Sequence, residues 1–376
     1  MKPDILGYTL EECCDLAVKL GDKKFRGQQL FGWMQKGAPL SEMKNLPAAF
    51  RQKIAEECDY RLPEIAKKQV SKKDGTVKYL MRMTDGECVE SVFMRYEHGN
   101  TVCVSCQAGC RMGCKFCAST LRGRARDLTA SEILGQIVVI QRDTGERVGG
   151  IVMMGIGEPL DNYDNTVKVL RLVSSPEGLN IGLRHISVST CGLIPGIKKL
   201  SEEGLPVTLS ISLHAANDAR RSSLMPVNNK YPIADLMAAC REYFEKTGRR
   251  VSFEYTLISG ENDSEQDAKA LADLLKKGMR GPSHINLIML NKITETGFEA
   301  PDRKGAERFR SLLESHGMNA TIRRRLGSDI DASCGQLRLN NLNEERVIKN
   351  GVAKGSSVSV CRKRRRTKAA KHIVIS

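Results

Sequence analysis

Residues 101–121 read TVCVSCQAGCRMGCKFCASTL. The first six alternate in the manner of a β-strand, and the remainder gathers Cys110, Cys114 and Cys117 into a C-x3-C-x2-C triplet. A structural zinc site takes four ligands, and neither a second C-x2-C pair nor paired histidines supplies the fourth here. Three closely spaced thiols on one loop suit an iron–sulfur cluster better, because one iron is then left open to a small molecule. The bland reading, three incidental buried cysteines, does not account for the spacing.

Outward from this stretch the chain alternates strand-like and helix-like segments. Strand patterns at 149–155, 185–190, 206–213, 251–257, 284–290 and 319–324 are separated by helical periodicity near 131–142, 163–173, 195–203, 233–246, 265–277 and 304–316. Such βαβ units imply an α/β fold with a parallel sheet. Their number predicts a partial TIM-like (β/α) barrel, whose chemistry sits in loops at the strand carboxyl ends; a doubly wound sheet is the structural alternative. Before the alternation come strand-like stretches at 77–83 and 88–96. Three helical segments near 9–20, 26–35 and 48–58 form a small N-terminal module. The expected domains are therefore 1–75 (a helical RNA-binding accessory domain), 76–342 (the barrel core with flanking strands and a C-terminal loop) and 343–376 (a basic, disordered tail).

Composition bounds the function. In 376 residues, 41% hydrophobic and 27% charged composition is that of a globular protein, and no apolar run is long enough to span a membrane. The start, MKPDILGYTLEECC, has acids where a signal peptide needs a basic flank, so a cytoplasmic location is expected. Thirteen cysteines without a secretory signal favour metal or redox chemistry over a disulfide scaffold. The net charge of +15 favours a polyanionic partner, RNA or DNA ahead of a membrane surface.

The triplet followed by a (βα) alternation resembles the radical S-adenosylmethionine (SAM) enzymes. CVSCQAGCRMGCKFCAST, MGIGEPLDN, RHISVSTCG, SISLHA and DIDASCGQL also occur in the order found in the bacterial radical SAM methyltransferases that act on C2 of adenine. Those enzymes modify 23S ribosomal RNA, at the peptidyl transferase centre, and the adenine 3′ to the anticodon of transfer RNA. The resemblance covers residues 75–342. It implies that Cys110, Cys114 and Cys117 hold a [4Fe–4S] cluster whose fourth iron is chelated by SAM. It also implies SAM contacts at Gly157, Glu158, Ser189, Ser212, Leu213, His214 and Asn291, although LIMLNKITETGF lacks the proline-containing context common after that asparagine. Each of these, taken alone, is a satisfied polar group at a strand end.

The same resemblance implies the mechanism. Adenine C2 carries no lone pair with which to attack SAM. One SAM methylates Cys334, and a second, reduced by the cluster, yields a 5′-deoxyadenosyl radical that takes hydrogen from the S-methyl group. The carbon radical adds to C2, and Cys103 releases the product by forming a disulfide with Cys334. Glu90, on the strand before Cys103, is the implied base; on alternation alone it is a solvent-facing residue. Two SAM per turnover and a flavodoxin-type electron donor follow, and the chain is expected to act as a monomer. Cys106 and Cys191 stand where serine, threonine or alanine is common. Two rivals remain: the related adenine-C8 methyltransferases, which typically have alanine at the place of Pro159, and a non-catalytic RNA-binding iron–sulfur protein. Retention of Cys103 and Cys334 with the SAM motifs argues against the latter.

From Lys354 onward the chain carries Lys and Arg with no Asp or Glu, chiefly in RKRRRTKAAK. Such a tail adds a sequence-independent phosphate term to RNA affinity. Deletion after Gly355 is expected to flatten the slope of log affinity against log salt in an RNA-binding titration, and an unchanged slope would remove the tail from binding.

Overall fold

The computed structural model describes residues 2–279, 281–291, 297–330 and 335–341. Cys334 and the basic tail from 343 lie outside the described residues. Residues through Leu339 pack as one unit.

Three helices open the chain: α1 (Leu10–Lys19), α2 (Lys24–Met34) and α3 (Ala48–Glu57). Thr9 and Glu12 start α1 with a reciprocal capping box, in which each side chain accepts the other's backbone N–H. Helices α1 and α2 cross at Gly27, where an added Cβ would lie 2.3 Å from Cys13 O and from Cys14 Cα. Four strands follow: β1 (Glu64–Val70), β2 (Val77–Arg82), β3 (Cys88–Tyr96) and β4 (Gly99–Cys103). Strands β2 and β3 fall where alternation places them. The helical reading of the first 75 residues did not anticipate β1, which is short of buried apolar positions and takes its place by pairing antiparallel with β2. Its register shifts between Ile65 and Lys67, a bulge at the sheet edge.

The hairpin strands β5 (Gln107–Gly109) and β6 (Arg124–Asp127) then carry the cysteine loop, and α4 (Ala130–Thr144) leads back to β7 (Gly150–Met153). From there helices and strands alternate: α5 (Tyr163–Ser174), β8 (Ile186–Thr190), α6 (Ile194–Glu202) and β9 (Thr208–Ser212). The alternation ends with α7 (Asp218–Leu224), α8 (Ile233–Thr247), β10 (Val251–Leu257), α9 (Glu265–Gly278), β11 (Ser283–Met289), α10 (Arg303–Ser315) and β12 (Ala320–Ile322). The ten-stranded sheet has the order β1-β2-β3-β4-β7-β8-β9-β10-β11-β12, antiparallel as far as β4 and parallel beyond it. This is the α/β architecture with a parallel sheet anticipated above, and among the described residues β1 and β12 are its two edges. All seven residues of β10 are buried, including Glu254, as befits a strand covered on both faces. Missed at the level of sequence were the short β5–β6 hairpin and α7, both too brief to show a period. No helix among the described residues is long and apolar enough to cross a membrane.

The backbone of α1 cannot swing aside from Gly27 as a flexible side chain could. Gly27→Ala is expected to cost about 1–3 kcal/mol, the usual penalty of overpacking, and so to lower the melting temperature in a calorimetric scan. An unchanged melting temperature would contradict the close α1–α2 crossing.

Candidate active site at the carboxyl ends of the strands

Strand β4 ends at Cys103, opposite Val92 on β3. The chain stays attached to the sheet a little further, with Val104 N–H donating to Val152 O (3.1 Å) and Cys106 N–H to Ile156 O (2.9 Å). It then lifts into the β5–β6 hairpin, whose tip bears the triplet. Thr120 Oγ donates to the carbonyls of Cys114 (3.1 Å) and Cys117 (2.9 Å), and Lys115 N–H donates to Leu224 O (2.9 Å). Cys110, Cys114 and Cys117 all line one cavity of about 570 Å³. Burial pushes the Cys110 thiol up to about 12 and raises Cys114 as well, with the neighbouring thiols adding to both. Among the described residues no three His, Cys, Asp or Glu side chains close around a single metal ion.

GIGEPLDN, after β7, braces this loop from below. Gly157 adopts φ +111°, and a Cβ there would meet Gln107 and Cys106 Sγ at 2.7 and 2.8 Å, so only glycine fits. The Glu158 carboxylate is buried and accepts the N–H groups of Leu160 (3.0 Å) and Cys191 (2.7 Å); burial raises its pKa above the usual carboxylate range. Asp161 accepts from Arg111 Nε (3.0 Å) in the cysteine loop and from Gln107 Nε2 (2.9 Å). Asn162 Nδ2 donates to the carbonyls of Cys106 (2.8 Å) and Leu128 (2.7 Å).

The ends of β8 and β9 are tied by Arg221, a fully buried arginine on α7. It donates to the carbonyls of Cys191 (2.7 Å), Ser212 (3.1 Å) and Leu213 (3.2 Å). Next in the chain, His214 takes φ +56°, and its Nδ1 accepts from Thr256 N–H (2.9 Å), leaving Nε2 as the donor. Burial first, and Arg221 second, lower its pKa to about 3, so the ring is neutral at physiological pH. Phe116, between two triplet cysteines, meets the His214 ring edge-on at 4.9 Å.

Glu90 is not on a solvent face. It is 3% exposed and pairs with the fully buried Lys78 of β2, Nζ to Oε2 at 2.6 Å. The same carboxylate accepts the N–H groups of Gly335 (2.6 Å) and Arg338 (2.7 Å). Gly335, next in sequence to Cys334, has φ +81° and lies so close to the turn after Cys117 that a Cβ would stand 2.8 Å from Ser119 N.

Two family models match: the Radical SAM superfamily over residues 104–275 and the ribosomal RNA large subunit methyltransferase N-terminal domain over residues 3–59. "Probable dual-specificity RNA methyltransferase RlmN" of Pelotomaculum thermopropionicum is 53% identical over 89% of this chain and 91% of its own length. The protein of the same name from Clostridium perfringens strain 13 is 50% identical over 89% of this chain and 96% of its own. This chain belongs to the RlmN family. A solved structure, a radical SAM methyltransferase from Sphaerobacter thermophilus, superposes with a TM-score of 0.84 at 42% identity, covering 89% of this chain and 98% of that one.

Membership in a radical SAM family implies a [4Fe–4S] cluster and SAM, and the residues present fit them. The three thiols share one cavity, as donors to one cluster must. Burial favours the protonated form of the Cys110 and Cys114 thiols, so cluster loading would release protons. Of the positions expected for SAM in an RlmN chain, Gly157, Glu158, Ser189, Ser212, His214 and Asn291 line the same cavity as the triplet and Cys103. Leu213 is fully buried and does not; its side chain packs in the core and only its backbone remains near the site. Glu90 also stands behind the cavity wall. No disulfide joins the described cysteines; Cys334, expected to pair with Cys103, is not among them. Lys78 and Arg221 were missed at the level of sequence. Lys78 occupies an ordinary-looking place in VKYLMR, and nothing in DARRSSL separates the buried Arg221 from the half-buried Arg220 beside it.

Truncating one partner of a buried ion pair strands the other. Lys78→Met is expected to destabilise the fold by about 3–5 kcal/mol in denaturant titration, with Lys78→Arg recovering part of the loss. A Lys78→Met protein as stable as the parent would show that the pair does not hold β2 to β3.

Proposed function

We propose that this chain is a radical SAM RNA methyltransferase that methylates C2 of adenine in 23S ribosomal RNA and in transfer RNA. The observation that carries this reading is the convergence of Cys103, the triplet and six SAM positions on one cavity at the strand carboxyl ends. Pro159, within GIGEP, favours C2 over C8. The cluster and SAM, when bound, supply a methyl group and a reductively generated radical that abstracts hydrogen; two SAM are used per turnover, with a flavodoxin-type protein as reductant. The enzyme works as a cytoplasmic monomer.

The chain's own residues divide the remaining work. Cys334 carries the methyl carbon and presents it to adenine. Once that carbon is joined to C2, the adduct gives up one electron, which the oxidised cluster would take back, and, to Glu90, the C2 proton. Cys103 then attacks Sγ of Cys334. The S–S bond forms as the C–S bond breaks, and the electron pair passes to the carbon, which takes a proton to become the methyl group. A dithiol reductant returns the disulfide to two thiols. Val92 faces Cys103 across the β3–β4 ladder and Glu90 stands two residues earlier on β3, which supports placing base and resolving thiol together. For Glu90 to accept a proton, the N–H groups of Gly335 and Arg338 have to yield part of their hold on it. Proton removal is thereby linked to the segment that follows Cys334.

The two thiols are expected to fail at different steps. Cys103→Ala protein should become methylated on Cys334, react with labelled RNA and stop as a covalent adduct visible on a denaturing gel. Cys334→Ala should form none. Glu90→Ala should slow release of the adduct by roughly 10²–10⁴-fold, the range of general-base catalysis. A crosslink in Cys334→Ala, or its absence in cluster-loaded Cys103→Ala, would reverse the roles or remove the covalent route.

A further inference from the structure

A second cavity, of about 760 Å³, opens at the opposite, amino ends of the parallel strands, among Thr101, Gly150, Ser187, Thr208 and Ser252. Four arginines line it: Arg147, Arg184, Arg250 and Arg323. Three of the six histidines of the chain, His98, His185 and His284, line it too. Its one carboxylate is Glu254, 3% exposed at the floor, where Asn286 Nδ2 donates to it (2.7 Å).

Elsewhere arginines are answered by acids, as in the pairs Arg95–Glu146, Arg126–Glu132, Arg142–Glu42 and Arg171–Glu203. None of the four basin arginines makes an ion pair among the described residues. Arg147 donates to a carbonyl, that of Asn180 (3.2 Å), and Arg323 to the Met154 sulfur (3.6 Å). A solvated face mixes both signs of charge. Arg323 favours the charged form of Glu254 at the floor, but the exposed Arg147, Arg184 and Arg250 present one sign to solvent, and such a concave surface concentrates polyanions.

Two further features select among polyanions. Tyr96 and His98 stack at the rim, centroids 5.3 Å apart and planes 18° from parallel, forming a flat aromatic surface suited to an unpaired base. Tyr96, Met154, Glu254 and Arg323 also line the cavity of the cysteine triplet, so the basin floor is the wall of the methylation site. An acidic electron-donor protein docked here would face the end of the strands away from the triplet. Seven-residue strands such as β10 separate the two ends by roughly 20 Å, and the triplet is at the far one.

We propose that this basin is a docking surface for the substrate RNA, with Arg147, Arg184 and Arg250 on backbone phosphates and the Tyr96–His98 pair on an unpaired base. The proposal rests on the methyltransferase reading above. It predicts that the RNA approaches from the amino ends of the strands, while SAM and the cluster occupy the carboxyl ends.

The test is fluorescence anisotropy of full-length, cluster-loaded protein with a labelled RNA hairpin bearing an unpaired loop adenine, across a KCl series. Arg184→Gln/Arg250→Gln should weaken binding and reduce the log–log salt slope by about 0.7 per arginine, the single-strand value. Iron content and melting temperature should not change, and the off-basin control Arg171→Gln/Arg310→Gln should leave the slope alone. Tyr96→Leu should weaken binding with the slope unchanged. If the parent binds and methylates RNA while the basin double variant binds with the same affinity and slope, the docking surface is wrong and the enzymatic reading stands. If the basin variant instead loses affinity only for a flavodoxin-type protein, the occupant is misassigned. If the parent neither binds nor methylates RNA, both readings fall.

Discussion

A carboxylate placed inside an apolar layer has to be answered where it stands, because water is not there to do so. Glu90 is answered from three directions at once: Lys78 on β2 and the N–H groups of Gly335 and Arg338. The interaction thereby fixes distant parts of the chain to one another. Strand β3 carries the carboxylate, β2 carries its cation, and the segment after Cys334 is brought against the turn that follows the triplet. Without that pair the two thiols proposed to share the chemistry, some 230 positions apart by their numbers (103 and 334), would have no common anchor.

A second set of ties works on the strand ends. Arg221 gathers the carbonyls of Cys191, Ser212 and Leu213, and Asp161 with Asn162 holds the cysteine hairpin to the strand beneath it. Arg221 and Asn162 answer main-chain carbonyls where strands give way to loops, and Asp161 answers the side chains of Arg111 and Gln107. The motif GIGEPLDN thus does two jobs. Its first half supplies a glycine and a carboxylate at the cavity, and its second half is a bracket for the loop next door.

How much of this the sequence reveals depends on the range of the interaction concerned. The alternation of strands and helices is local and periodic, so thirteen of the segments from β2 to α10 fall within a residue or two of their expected places. The cysteine triplet is legible because one loop must wrap one inorganic core, which forces its ligands close together in the chain. Lys78 shows the limit. A strand period of two says which residues share a face, but not whether that face is wet; Glu90 reads as solvent-facing, and Lys78 draws no notice, until a third segment is seen to cover the pair. Arg221 and the basin arginines are illegible for a related reason: what distinguishes them is the absence or presence of acids brought near by the fold, and no window of sequence contains that information. Strand β1 escapes because its apolar content is low and its partner, not its own pattern, makes it a strand.

An open sheet admits a large substrate where a closed barrel would not, but it leaves two margins with unsatisfied hydrogen-bonding groups. Here β12 is only three residues long, and β1 is bent by its bulge and bears Lys67 and Lys68. The bulge and the exposed Lys67 make β1, and its short length makes β12, a poor template for pairing with the edge of another copy, so these few residues bear on association rather than on the chemistry within.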